Sequence, residues 1–391
     1  MRYAAATPMG WMEDDLLALA RDVRLRTPKA LAFIDATHAR LDGQTVTVLC
    51  GNDYLGLRHH PALLHAANDA TNRHGSGAGA SRLVSGNLTL HEDVERDVTA
   101  ATGAGSSLLC VSGYAANVGA LGALLHPEDV VFSDALNHAS LIDGMRLARA
   151  RVRVVPHNDV DALRESVVTA GSYRRGWIVT EALFSMDGDV APLGAIAEVA
   201  TRFGLYRYVD EAHAFGVLGP HGAGSPEEQG ASPDVRMIGF GKALGASGAA
   251  LVGPTALRPW LWNHSRSFIF STGVAPAPVA AAQAAIRLLQ TDETLLPRLR
   301  ANIATLREAL RASGVDVLAG HPEVPILPVV VGDDARAVAV SARLLEQGYF
   351  VHPIRPPTVP EGTARLRVTV SAAHDPTELQ RFASLLAAAM S

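Results

Sequence analysis

The chain reads as an α/β protein, in which a mostly parallel sheet lies between helices and a smaller α+β unit follows. Three features of the 391-residue sequence say so. Seven short apolar runs recur between residues 107 and 253, most of them bounded by Gly, Asp or Asn, as strands buried on both faces should be. Stretches with helical spacing separate them, and strand–helix–strand repetition builds a parallel sheet. Beyond residue 291 the rhythm changes to fewer strands and longer helices.

Residues 1–50 predict an amphipathic helix followed by a hairpin within LAFIDATHARLDGQTVTVL. Residues 51–290 form the expected large domain. Its strands are SLLCV (107–111), VVFS (130–133), VRVV (152–155), WIVTE (177–181), YRYVD (206–210), MIGF (237–240) and AALVG (249–253). Helical patterns cover 88–103, 159–171 and 193–204. Residues 291–391 form the expected small domain: a helix over 296–314, then VDVLA, ILPVVVG and ARLRVTVSA as strand material, with helices near 334–347 and 376–389.

Composition removes several function classes. With 48% hydrophobic and 19% charged residues the chain can build sizeable cores, so disorder is excluded. The formal charge of −5 is spread without a basic stripe, which argues against nucleic acid. No apolar run reaches membrane-spanning length, and the N-terminal stretch lacks a signal-peptide core. Cys50 and Cys110 have no metal-ligand spacing, so neither a zinc site nor a disulfide framework is expected. A cytoplasmic, reducing setting fits this cysteine usage.

The chemistry concentrates in YRYVDEAHAFGVLG (206–219) and IGFGKALGASGA (238–249). Asp210 ends a very apolar strand and His213 follows three residues later. Lys242 follows the next strand in a glycine-lined turn. Ligands of open α/β sheets gather at the carboxyl ends of strands, which puts these side chains on one crevice. Taken singly, Asp-x-x-His is ordinarily a turn cap, and Gly-Lys carries less still. Together, an amine and a carboxylate on neighbouring strand ends suit pyridoxal phosphate, which needs a lysine for its aldehyde and an acid facing its ring nitrogen. Further segments add to this reading. CVSGYAANVGALGALL (110–125) opens a helix at Gly113 and Tyr114, whose N–H groups suit a phosphate dianion. His138 follows a strand in SDALNHASLIDG, where its imidazole could stack on the cofactor ring or merely cap a helix. Ser185 lies in the loop of TEALFSMDGDVAPL, within plausible reach of the cofactor's phenolic oxygen.

With these motifs in view the chain resembles the α-oxoamine synthases, pyridoxal-phosphate enzymes of the fold-type-I transferase group, from about residue 20 to 388. The landmarks are GNDYLGLRHHP (51–61), GSGAGASRLVSGNLTLHEDVE (75–95), SGYAAN (112–117), NHASLIDG (137–144), TEALFSMDGD (180–189), VDEAHAFGVLG (209–219), FGKALGASGAALVG (240–253), IFSTGVAPA (269–277) and IRPPTVPEGTARLRVTVSAAH (354–374). The resemblance implies a decarboxylative condensation of L-alanine with a pimeloyl thioester, on coenzyme A or a carrier protein, to 8-amino-7-oxononanoate in biotin synthesis. Glycine-using members of the family are the alternative. By position it implies that Lys242 is the Schiff-base lysine, Asp210 the partner of the ring nitrogen and His138 the stacking imidazole. Ser185 and His213 match residues that bond the phenolic oxygen, and Gly113 and Tyr114 a phosphate-side turn. Thr272 matches a threonine reaching the phosphate from a second subunit, which implies a homodimer. Arg367 matches the holder of the amino acid's carboxylate, Arg24 and Thr358 match acyl-side positions, and Asn52 lies in the motif near the substrate. One departure stands out. Gly239 occupies the position, three before the lysine, where the family usually has a phosphate-binding Thr or Ser, and the lost hydrogen bond predicts weaker cofactor retention.

Overall fold

The computed structural model describes residues 9–391; residues 1–8 of the expected N-terminal segment lie outside the described residues. An exposed helix, Trp11–Arg21, is followed by β1 (Ala32–Phe33), β2 (His38–Leu41) and β3 (Gln44–Val48). The turn between β2 and β3 is Asp42–Gly43, with φ of 51° and 84°. Two left-handed residues in succession match the twist of the flanking strands, which is why Asp-Gly serves here.

The large sheet contains β4 (Ser106–Cys110), β5 (Val130–Asp134), β6 (Arg151–Val155), β7 (Gly176–Glu181), β8 (Tyr206–Asp210), β9 (Val235–Gly239) and β10 (Ala249–Gly253). Their spatial order is β4-β10-β9-β8-β7-β5-β6. The pairs from β9 through β6 are parallel, and β10 runs antiparallel to both β4 and β9. Every predicted strand of this sheet is present, displaced by no more than two residues. Side chains alternate between two cores. Leu108, Val131, Val179, Tyr208, Met237 and Leu251 face the helices Gly113–Leu124, Ala139–Ala148 and Leu257–His264. Leu109, Phe132, Ile178, Val209, Ile238 and Val252 face the opposite layer. Period-two alternation with both faces apolar is what makes these strands read as unbroken hydrophobic runs. The edge strand β6 is the exception: Arg151 and Arg153 sit on it and blunt the free edge.

The C-terminal portion holds β11 (Ile326–Gly332), β12 (Tyr349–Phe350), β13 (Pro353–Ile354) and β14 (Ala364–Thr369). β11, β14 and β13 form one small sheet, while β12 pairs parallel with β3. The N-terminal hairpin is thereby stitched to the C-terminal portion. Helices Leu295–Ala312, Asp334–Glu346 and Pro376–Met390 complete this region. VDVLA is not a strand. It makes one backbone bond toward β11, Leu318 N–H to Pro328 O at 3.0 Å, and Pro322 and Pro325 just beyond have no N–H to extend a ladder.

One polar cluster ties the carboxyl ends of the strands together. His157, just past β6, has Nδ1 at 2.9 Å from Asp134 Oδ1 and Nε2 at 2.7 Å from Asp189 Oδ2. Burial disfavours the imidazolium, but the hydrogen bonds and charges of Asp134 and Asp189 outweigh it and hold the group at about 10. Asp189 also closes the loop that carries Ser185, accepting Phe184 N–H through its carbonyl at 3.0 Å. Because the folded value lies above the unfolded value of about 6.5, the clamp stabilises fully below that pH and fades as pH rises through 10. His157→Gln is expected to lower stability at pH 6 by about 2 kcal/mol, less than for a fully buried pair because the side chain keeps some exposure. Melting temperatures of both proteins at pH 6 and pH 10.5 check this: the gap should largely close at the higher pH, and an unchanged gap contradicts the clamp.

Candidate active site

The carboxyl ends of β4, β5, β7, β8 and β9 surround a cavity of about 300 Å³. Its lining includes Asn52, Gly113, Tyr114, His138, Glu181, Asp210, Gly239 and Lys242. A second cavity of about 680 Å³ also borders Asn52 and Gly241 and extends to Arg367, with walls from Leu31, Phe33, Val48, Phe350 and Ile354.

At the β4 end, Ser112 caps the helix Gly113–Leu124. Its hydroxyl accepts Ala115 N–H at 3.1 Å and its carbonyl accepts Ala116 N–H at 2.9 Å. Among the described residues the N–H groups of Gly113 and Tyr114 have no acceptor, as the first turn of a helix leaves them. A Cβ on Gly113 would approach Met237 Cε to 3.2 Å, so glycine keeps the backbone open here.

Asp210 ends β8 in a buried position. Its Oδ1 accepts Ala212 N–H at 2.8 Å and its Oδ2 accepts Asn117 Nδ2–H at 2.7 Å. Asn117 is a hub: Nδ2 also donates to Ser140 Oγ at 2.9 Å, and Oδ1 accepts the Tyr208 hydroxyl at 2.8 Å. Ser140 Oγ lies 2.8 Å from His138 Nδ1, and Ser140 N–H donates to the same nitrogen at 3.2 Å. With Nδ1 an acceptor, a neutral His138 carries its proton on Nε2. Burial foremost, and the nearby Lys242 charge, lower its pKa against the pull of Asp210, which favours that neutral form. Glu181, at the end of β7, accepts His138 N–H at 2.7 Å. Burial, then the charge of Asp210, pushes its carboxyl well above the usual range.

Lys242 follows β9 in a turn closed by Gly245 N–H to Lys242 O at 2.9 Å. Burial draws its ammonium down to about 8, although the Asp210 and Glu181 carboxylates resist. An amine so placed is a nucleophile near neutral pH. A Cβ at Gly239 would come within 3.2 Å of Ala212 Cβ, so the methyl of Ala212 leaves little room for a side chain there.

Arg367 lies buried on β14. Nε donates to Ser185 O, Nη1 to Asn52 Oδ1 at 3.1 Å and Nη2 to Tyr54 Oη at 3.2 Å. Among the described residues no carboxylate pairs with it, whereas Arg365 on the same strand pairs with Asp187 at 2.6 Å. His213 is buried behind the first cavity, with Nδ1 2.7 Å from Tyr54 Oη. Burial, then the charges of Lys242 and Arg367, keeps it well below the usual imidazole range and hence neutral.

The remaining sequence candidates fall elsewhere. Ser185 offers its carbonyl to Arg367, and among the described residues its hydroxyl bonds no group. Thr272 is exposed, in an isolated antiparallel bridge with Ser81, and borders neither cavity. Arg24 is ion-paired to Glu361 at 2.6 Å and Asp334 at 3.6 Å, and Thr358 Oγ1 accepts from Arg26 Nη2 at 3.0 Å. Neither borders the cavities. Tyr54, Asn117, Ser140 and Glu181 carry no role in the sequence reading. For Asn117 a signal was present, since one helical turn after Gly113 places it on the same face. The partners of the others are set by tertiary packing alone.

An amine, a carboxylate, a neutral imidazole and a helix N-terminus converging on one crevice fit pyridoxal 5'-phosphate. They define a fold-type-I pyridoxal-phosphate transferase site. The sequence matches the aminotransferase class I and II model over residues 44–386, and the chain belongs to that family. It is similar to the 8-amino-7-oxononanoate synthase of Geobacter sulfurreducens, 44% identical over 93% of both chains. The enzyme of that name from Anaeromyxobacter dehalogenans is 44% identical over 98% of this chain and 96% of its own. Among solved structures, a serine palmitoyltransferase variant from S. paucimobilis with a bound PLP–myriocin aldimine superposes with a TM-score of 0.92 at 29% identity, covering 99% and 98% of the two chains. The 8-amino-7-oxononanoate synthase from Francisella tularensis shares the fold, with a TM-score of 0.75 at 24% identity over 88% and 97%.

The depressed pKa of Lys242 has a direct readout. Covalent uptake of pyridoxal 5'-phosphate by cofactor-free protein, followed by reductive trapping, should accelerate with pH about a midpoint near 8 and vanish in Lys242→Arg. A midpoint near the ordinary lysine value contradicts the desolvated site.

Proposed function

We propose that this protein condenses L-alanine with a pimeloyl thioester, releasing carbon dioxide and the thiol to give 8-amino-7-oxononanoate. One observation carries the reading beyond the family. A buried guanidinium with no carboxylate partner among the described residues, beside the lysine crevice, opens onto a large cavity that has one apolar wall and is otherwise lined by groups such as Lys29, Arg58 and His352. Of the five N–H donors on Arg367 three are used by protein oxygens, which leaves two for an incoming carboxylate. The 680 Å³ space with Leu31, Phe33, Phe350 and Ile354 suits a methylene chain. The 44%-identical relatives named for this activity support the choice of substrates.

In the proposed mechanism Arg367 holds the alanine carboxylate and so sets the orientation of Cα–H. Bound pyridoxal 5'-phosphate supplies the electron sink for the pair left at Cα. Lys242, released as the neutral amine, takes the Cα proton. General base work of this kind typically contributes about 10²–10⁴ in rate. Asp210, held by Asn117 and Ala212, would face the ring nitrogen, and His138 would offer its ring face. The deprotonated Cα attacks the thioester carbonyl and the thiolate departs. The resulting β-keto acid loses carbon dioxide, and Lys242 returns a proton to Cα. Ser185 and His213, which line neither cavity, would bond the cofactor's phenolic oxygen from behind its wall, and Gly113 and Tyr114 would hold the phosphate. Arg24 and Thr358 belong to the outer acyl side rather than to the cavity walls. We assign a homodimer, supported by exposed Leu83, Val84 and Phe270, which lie close in sequence to the Ser81–Thr272 bridge. Thr272 then serves the second subunit's site.

The test pairs alanine or glycine with pimeloyl-, acetyl- and succinyl-CoA and identifies products by mass. Alanine with pimeloyl-CoA is expected to give the amino-oxo acid at least tenfold faster than any other pair, and preferred turnover of glycine contradicts the proposal.

A further inference from the structure

Tyr54 stands between two groups that the reaction uses separately. Its hydroxyl is buried, 3.2 Å from Arg367 Nη2, 3.2 Å from Asn52 Oδ1 and 2.7 Å from His213 Nδ1. Arg367 has only donors, so the phenolic oxygen accepts from it. The one phenolic proton has two candidate acceptors, Asn52 Oδ1 and His213 Nδ1; Asn52 Oδ1 already accepts from Arg367 Nη1, and the shorter contact assigns the proton to His213 Nδ1. Desolvation raises the Tyr54 pKa and the Arg367 charge opposes this, so the phenol keeps its proton at neutral pH. His213 is neutral in the same surroundings. A neutral imidazole accepting at Nδ1 carries its proton on Nε2.

We propose that Tyr54 is a positioning residue that links the carboxylate-holding Arg367 to His213, fixing the guanidinium in place and locking His213 in the Nε2–H tautomer. The proposal rests on the reading of Arg367 as the carboxylate holder and of His213 as a donor toward the cofactor's oxygen. It adds a reason for the arrangement. A cation donating to the phenolic oxygen strengthens the phenol as a donor, and a fixed tautomer presents N–H, never a lone pair, on the ring nitrogen opposite Tyr54. His138 is held in the same way at its own Nδ1 by Ser140, so both site histidines offer Nε2–H. Two neutral donors let the site bind an oxyanion without adding charge beside Lys242, whose pKa must stay low.

The test uses Tyr54→Phe, which keeps the ring and deletes the hydroxyl, beside Arg367→Ala and the wild type. In cofactor-free wild-type protein labelled with ¹⁵N-histidine, the Nδ1 resonance of His213 is expected in the unprotonated range and Nε2 in the protonated range. In Tyr54→Phe the two resonances should move toward a tautomer average. The KM for L-alanine should rise about tenfold, the effect of one lost hydrogen bond to a charged group, while the KM for the acyl thioester stays within twofold. A merely structural role would shift both KM values together and leave the tautomer alone. A protonated His213 Nδ1 in the wild type, or an unchanged alanine KM in Tyr54→Phe, overturns the proposal. An unchanged alanine KM in Arg367→Ala overturns instead the reading of Arg367 beneath it.

Discussion

A guanidinium buried with no counter-charge among the described residues is the constraint around which this structure is arranged. Burying an unpaired ion costs several kcal/mol even after relaxation, and folding alone offers no reason to accept that cost. Arg367 is nonetheless buried on β14, satisfied by three neutral oxygens from Ser185, Asn52 and Tyr54. Those three groups come from two other parts of the chain, the loop after β7 and the segment after β3. The stitching of β3 to β12 holds the latter in place. The supporting elements converge on one position where, among the described residues, no anion is built in, and which the proposed function fills with the substrate carboxylate.

The same economy of charge extends inward. Asp210, Glu181, His138 and Lys242 crowd a space of about 300 Å³. Burial raises the pKa of the Glu181 carboxyl and lowers those of His138 and Lys242, so each is pushed toward its neutral form. Asp210 is treated differently, with one N–H bond to each oxygen from Ala212 and Asn117. A carboxylate fixed at both oxygens beside such neighbours is placed to face the ring nitrogen of pyridoxal 5'-phosphate.

The central sheet was legible because burial on both faces writes itself into composition: β4, β7 and β9 read as apolar runs with no polar face to confuse them. VDVLA failed for the opposite reason, since an apolar run becomes a strand only if a partner offers a ladder, and prolines deny one. The two-residue strands β12 and β13 exist only through tertiary pairing and leave no local pattern. In the site, Lys242, Asp210 and His138 announced themselves by chemistry at strand ends. Tyr54 could not, because its partners lie 159 and 313 residues away in sequence. Arg24 and Thr358 show the converse: motif position named them, yet Arg24 turns to Glu361 and Thr358 to Arg26, away from both cavities.

The central claim, that Arg367 is a carboxylate receptor completed only by substrate, is tested most directly by calorimetric titration of the cofactor-loaded protein with L-alanine and with L-alaninamide. The two ligands share the amine, the Cα and the methyl group, and differ only at the carboxylate. The account predicts that alanine binds at least a hundredfold more tightly, in line with about 3 kcal/mol for charge-assisted hydrogen bonds. Comparable affinities for the two would contradict it.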